Sequence, residues 1–367
     1  MEVLRLSRLC VCVLVLVVAK AAANDKCPED GDGTRCPLSA CARGDALPRC
    51  AFGFASTVTG GAGGQSNSYV VTSSEDSPQS PQPGSLRYGL GKGNVWITFS
   101  RGMKILLKDR LWIQSSTTID GRGFSVTISG GQLVMRGVSN VILHNLQINA
   151  PADKSENTIH VSDGSNLIWM DHLTFVDPTR MTGIGKIISV NTASTDVTIS
   201  NSILANTDFS VLLGNSDEEQ QDKIMRVTVY RNWFKDSTQR MPHCRWGYCH
   251  VLNNLYTNWG YYAIGARVRA TIKSEANVFE AGPKKEVTPW DRSLATTLDQ
   301  TPHIESNGDL LLNGATFHQF LKTAPASASP AHKVKPPPVL PPQQLSSLLK
   351  RCAGALNPSQ ARACLLP

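Results

Sequence analysis

Two arginines in the segment QRMPHCRWGY, Arg240 and Arg245, are the side chains best suited to chemistry in this 367-residue chain. A guanidinium carries its donors in a rigid planar fork that matches a carboxylate, so a close pair can hold an acidic group in one orientation. The same two residues would also serve as structural arginines on the turn around Pro242. Aromatic residues follow at Trp246, Tyr248, Trp259, Tyr261 and Tyr262. Their rings can stack on sugars, although single aromatics more often pack in a core. Asp171 and His172, in WMDH, read as a buried hydrogen-bonded pair that supports the fold.

The elements around these residues repeat. Alternating β-branched or apolar residues, a polar residue and another apolar pair recur as VILHNLQI, LIWMDHLTF, VTISNSIL, VTVYRNWF, HVLNNLY and TIKSEANVF. Taking Asn145, His172, Asn201, Asn232, Asn254 and Asn277 as markers, the steps are 27, 29, 31, 22 and 23 residues. That period predicts an all-β chain wound as a right-handed parallel β-helix, one coil per repeat, with loops of varied length between short strands. Val, Ile and Leu then face inward, and stacked asparagines at one corner can take left-handed turns and bond one another. A β-sandwich would show hairpin turns every ~8–12 residues instead, and helical periodicity is nearly absent from residues 90 to 280.

The chain ends read differently. Arg5 and Arg8 precede an apolar run from Leu9 to Val18, and small residues follow at Ala19 and Ala21 to Ala23. Residues 1–23 therefore have the layout of an export signal, too short to span a bilayer, and the mature chain is expected to work outside the cell. Beyond it lie Cys27, Cys36, Cys41, Cys50, Cys244, Cys249, Cys352 and Cys364. Their gaps are mostly wider than zinc spacings, so structural disulfides are expected, with the pairing left open. Residues 24–60 read as a Cys-rich cap, 61–322 as the β-helix and 323–344 as a Pro-rich linker. A short tail over 345–367 can be helical and closed by Cys352 and Cys364. The net charge is +7 and scattered, falling to +5 without the export signal. This suits an acidic polysaccharide better than nucleic acid, and no membrane partner is expected for a chain acting as a monomer.

Between Cys50 and Phe317 the chain resembles the plant-type pectate lyases. The resemblance rests on CAFGFASTVTGG, PGSLRYGL, TTIDGRG, WMDH, LLGNSD, QRMPHCRWGY, HVLNNLYTNW, YYAIG, KKEVT and SNGDLLLNGATF, in that order. It implies cleavage of homogalacturonan, the acidic backbone of pectin in cell walls, by β-elimination. Arg240 is then the base that removes the C5 proton, and Arg245 binds the substrate carboxylate. It also implies Ca2+ held by acidic side chains, and here the chain departs from the pattern. The family's four acids align with Glu156, Thr158, Gly185 and Ser189, and its substrate lysine with Phe209. Glu156 remains as a ligand, with Asp153, Asp163 or Asp177 as neighbours able to rebuild a site. Two alternatives follow. A calcium-independent lyase of methyl-esterified pectin would place a protein cation, Lys186 or Arg180, near the metal position. A non-catalytic pectin-binding relative would keep the fold and the arginines alone.

Overall fold

The computed structural model describes residues 47–61, 68–181, 185–289, 301–320 and 334–364, without the side chains of 177–181 and 362. The proposed export signal and the cap as far as residue 46, with Cys27, Cys36 and Cys41, lie outside the described residues, as does the linker from 323 to 333. The chain winds as a right-handed parallel β-helix. Among the described residues every pairing between its strands is parallel, in one sheet of seventeen strands and one of seven. Inward positions stack rung upon rung. Ile97, Ile119, Leu143, Met170, Ile199, Val229 and Val251 form one column, each buried against the next. Farther along, Tyr256 stacks between Phe234 and Phe279, with ring centroids 5.0 and 4.6 Å apart. Burying such columns is what stabilises coils that make few local contacts.

The repeat's polar marker resolves into two adjacent columns. Asn145, His172 and Asn201 share their corner with Arg231, Asn253 and Ala276, and all six have φ between 49° and 55°. Asn232, Asn254 and Asn277 stand one residue later, beside Ser202. The marker steps therefore contain a one-residue slip: the partner of Asn201 is Arg231, not Asn232. The second column is the ladder. Asn232 donates from N and Nδ2 to Asn254 Oδ1 at 2.9 and 3.0 Å, and Asn254 repeats this to Asn277 at 2.7 and 3.0 Å. Each amide also donates back to a carbonyl of the preceding coil, Asn254 to Val229 at 2.8 Å. Replacing Asn254 with alanine leaves several fully buried groups unpaired, and a loss of about 3 kcal/mol in urea unfolding is expected. A loss below about 1 kcal/mol would mean the ladder contributes no more than one ordinary hydrogen bond.

Within residues 334–364 the chain returns to this same corner at Leu340, Gly354 and Leu356. Asn253 is bonded to Leu340, Asn201 O accepts from Gly354 N at 2.7 Å, and Asn145 exchanges hydrogen bonds with Leu356. Two short helices, Leu345–Cys352 and Pro358–Ala363, are joined by a Cys352–Cys364 disulfide. Residues 334–344, expected as part of a linker, are thus anchored, because the left-handed corner turns leave polar atoms that the tail satisfies. Cys244 and Cys249 correct the disulfide expectation in a different way. Both are free thiols facing the interior, from different sheets, and burial with the neighbouring Cys249 raises the pKa of the Cys244 thiol. Among the described residues, no helix is long and apolar enough to cross a membrane.

Candidate active site

The seven-stranded sheet carries the candidate site on its outer face. Its strands are Leu111–Trp112, Leu133–Arg136, Ile159–Ser162, Ile188–Val190, Val211–Leu213, His243–Arg245 and Gly265–Arg267. In HCR the strand's period of two turns Cys244 inward and His243 and Arg245 outward. Arg240 sits at the entrance to that strand, just before the cis Met241–Pro242 bond, with φ 63°.

Arg240 is held on two sides. Its guanidinium lies 4.1 Å from the centroid of the Phe209 ring, and the Tyr262 phenol is close enough to act on it electrostatically. Burial lowers its pKa, and the nearby Arg245 lowers it further, against an opposing contribution from Tyr262. The Tyr262 phenol, itself pushed up to about 12 by burial, also meets His243 Nδ1 at 2.8 Å. Burial and the charges of Arg245, Arg240 and Arg267 hold the pKa of His243 well below its ordinary value. His243 is therefore neutral, and a neutral imidazole can share a hydrogen bond with the Tyr262 hydroxyl through Nδ1.

Arg245 is fixed by a different partner. Asp217 accepts from Arg245 Nε at 2.7 Å and from Arg267 Nη2 at 2.6 Å, while Arg245 Nη1 donates to Gly214 O at 3.2 Å. Gly214 has φ 84°, and a Cβ there would come within 2.8 Å of the Arg245 side chain, so glycine permits the close approach. Lys186 completes the cluster. Burial lowers its pKa first, and then the charges of Arg240 and Arg245. Three cations thus face one region of the sheet. Sequence reasoning did not single out His243, Asp217 or Arg267 and treated Tyr262 only as a stacking ring. The parity of HCR and a one-coil separation of Asp217 from Arg245 are the signals that could have found two of them.

The acidic candidates are engaged elsewhere. Glu156 pairs with Arg110, accepting from its Nε at 2.9 Å, and Asp163 pairs with Arg136. Asp153 accepts from Ser155 N and Oγ at 2.9 and 2.7 Å. The side chains of Asp177 and Arg180 lie outside the described residues. Ser189 and Thr158 are buried and uncharged, and Phe209 occupies the space beneath Arg240. Among the described residues, no three His, Cys, Asp or Glu side chains converge to hold a metal. The described residues do not fit calcium, which needs about six to eight oxygens, several of them charged.

Asp171 and His172 lie on the other sheet, away from the cations. Asp171 accepts from Ser200 Oγ at 2.5 Å and Asn201 Nδ2 at 2.9 Å, with His144 Nδ1 2.9 Å away. His172 Nδ1 meets Gly354 O of the tail at 3.0 Å. Trp259 and Tyr262 are buried, Trp246 donates to Asp217 O at 3.1 Å, and Tyr261 is exposed.

Comparison with known proteins gives one consistent result. The profile described as pectate lyase matches residues 45–330. The chain is 39% identical over 310 residues to pectate lyase 1 of Chamaecyparis obtusa, covering 76% of this chain and 80% of that one. It is 40% identical over 289 residues to putative pectate lyase 21 of Arabidopsis thaliana, covering 74% and 72%. Among solved structures, jun a 1, the major allergen from cedar pollen, is similar with a TM-score of 0.70 and 33% identity, over 85% of this chain and 95% of that one. A pectate lyase from Bacillus sp. N165, solved in complex with trigalacturonate, shares the fold at a TM-score of 0.59 and 17% identity, covering 83% and 98%.

Proposed function

The chain belongs to the pectate lyase family, and from that premise we propose that it cleaves (1→4)-α-D-galacturonan by β-elimination with Arg240 as the base. The observation that carries this reading is the setting of Arg240: half-buried, beside another arginine, and lowered in pKa by both. Arginine is a poor base in water, with a pKa above about 12, so removal of a C5 proton needs this kind of environment. In the reaction the C5–H bond breaks and its proton goes to the Arg240 guanidine. The electron pair forms the C4–C5 double bond, and the C4–O4 bond breaks with its electrons leaving on O4, which takes a proton from solvent. Negative charge builds on the substrate carboxyl group as the proton leaves. Arg245 and Lys186, which both couple electrostatically to Arg240, would supply positive charge to stabilise it. No step runs through calcium. The export-signal layout of residues 1–23 supports action outside the cell, on cell-wall galacturonan.

Lys186 favours a second reading, in which the preferred substrate is methyl-esterified pectin. An ester carries no carboxylate charge, so its C5 proton is more acidic, and one protein cation goes further toward stabilising the transition state. The test is ultraviolet absorbance of unsaturated uronide product, from polygalacturonate and from highly esterified pectin, each with calcium and with a chelator. Arg240-dependent product that persists with chelator is the expected result. Activity on polygalacturonate that vanishes with chelator would overturn the metal-free reading and show that the acids rearrange around calcium. Absence of product from both substrates would leave only a pectin-binding protein.

A further inference from the structure

A cavity of about 390 Å³ opens on the same sheet face as Arg240, lined by Arg110, Trp112, Arg136, Glu156, His160 and Asp163 among others. It uses residues that the reaction above does not require. We infer that this cavity is a remote sugar subsite in which Trp112 stacks on a uronide ring of the same galacturonan chain, several units from the bond that is cut. The inference rests on the lyase reading for the identity of the ligand.

Position comes first. Trp112, Val134, His160, Ser189, Leu212 and His243 are register partners on successive strands of the seven-stranded sheet. Five strand spacings of about 4.8 Å put Trp112 roughly 24 Å from the His243 rung, the length of a several-unit oligouronide. The path between them carries Val134, His160, Ser189 and Leu212, with cations beside it. Arg110, Arg136 and Lys186 all act on His160, and Lys186 in turn senses Arg240 and Arg245. One extended polyanion can therefore touch both ends.

The chemistry of the cavity suits a sugar. Trp112 is 46% exposed on a strand whose neighbour Leu111 is fully buried, so the indole is a surface platform and not part of the core. The floor beside it is Val134, buried at 3% exposure. A flat apolar ring bordered by planar polar side chains matches a pyranose, which has an apolar face and a polar rim. The rim is supplied by the Arg110–Glu156 and Arg136–Asp163 pairs, whose arginines are 50% and 63% exposed. Each pair offers N–H donors to hydroxyls or a carboxylate, and carboxylate oxygens to hydroxyls. Burial and the surrounding cations lower the pKa of His160, and its Nδ1 meets Asn157 Nδ2 at 3.1 Å. As a neutral ring accepting there, it presents its Nε2–H as a further donor.

The experiment measures binding without cleavage. Tri- and octagalacturonate are titrated calorimetrically into Arg240→Ala protein, and into the same protein carrying Trp112→Ala or Trp112→Phe. The octamer is expected to bind more tightly than the trimer. Trp112→Ala should remove about tenfold of that gain, and Trp112→Phe should keep most of it. Matching thermal melts establish that each variant is folded. An equal gain with Trp112→Ala, or no gain in Arg240→Ala protein itself, overturns the subsite. Failure of wild-type protein to form unsaturated product would instead remove the lyase reading, and these binding results would still decide the subsite.

Discussion

Arg240→Ala is expected to lower the rate of unsaturated-uronide formation by about 10²–10⁴-fold, the usual contribution of a positioned general base. The side chain is not a core residue: it lies over Phe209, near Tyr262, and keeps its Nε buried without a partner. Its loss should therefore leave the unfolding midpoint close to that of wild type. Arg240→Lys is the sharper comparison. Lysine keeps a cation over Phe209 but lacks the planar fork that reaches both Tyr262 and the substrate. It should fold equally well and recover little activity. The measurement is initial rate by ultraviolet absorbance on whichever galacturonan the wild type cleaves. Retention of more than about a tenth of the wild-type rate by Arg240→Ala would remove this residue from the base's role.

The second large effect is on stability. Asp171→Ala is expected to cost about 3–5 kcal/mol, because it leaves His144, Ser200 and Asn201 facing an empty buried position. Burial by itself would raise the Asp171 pKa, but His172, His144 and Ser200 outweigh it, and the value falls to about 2. The folded value lies below the unfolded value of about 3.9, so the unfolded state binds more protons between them. This contribution is complete above about pH 4 and is lost as the pH falls through about 2, amounting to roughly 2–3 kcal/mol. Urea unfolding of wild type between pH 5 and 2.5 should therefore show a slope that Asp171→Asn reduces. An unchanged slope would show that other carboxylates control acid stability.

Much of this architecture is legible along the chain because each strand's burial is encoded locally. Alternation in VTISNSIL or VTVYRNWF states which side chains face inward before any neighbour is known. The same alternation in HCR puts His243 and Arg245 on one face, and the segment QRMPHCRWGY marks the candidate site by its own residues. The recurrence of 22 to 31 residues between markers is enough to require coils.

Lateral neighbours are another matter, because they come from different coils whose loops vary in length. Like residues in successive coils need not be partners either: the register on both sides of the corner is unbroken, yet Asn201 stands beside Arg231 and Asn232 beside Ser202. Only the winding brings Lys186 within reach of Arg240 and Arg245, and Tyr262 between Arg240 and His243. Only the winding pairs Glu156 with Arg110, 46 residues away, so that a carboxylate legible as a metal ligand is already neutralised. The sequence by itself therefore determined a β-helix of the pectate lyase family and marked Arg240 and Arg245 as its candidate site. The tertiary structure decided which charges meet there, because electrostatic interaction depends on distance in space and loop length leaves that distance unspecified.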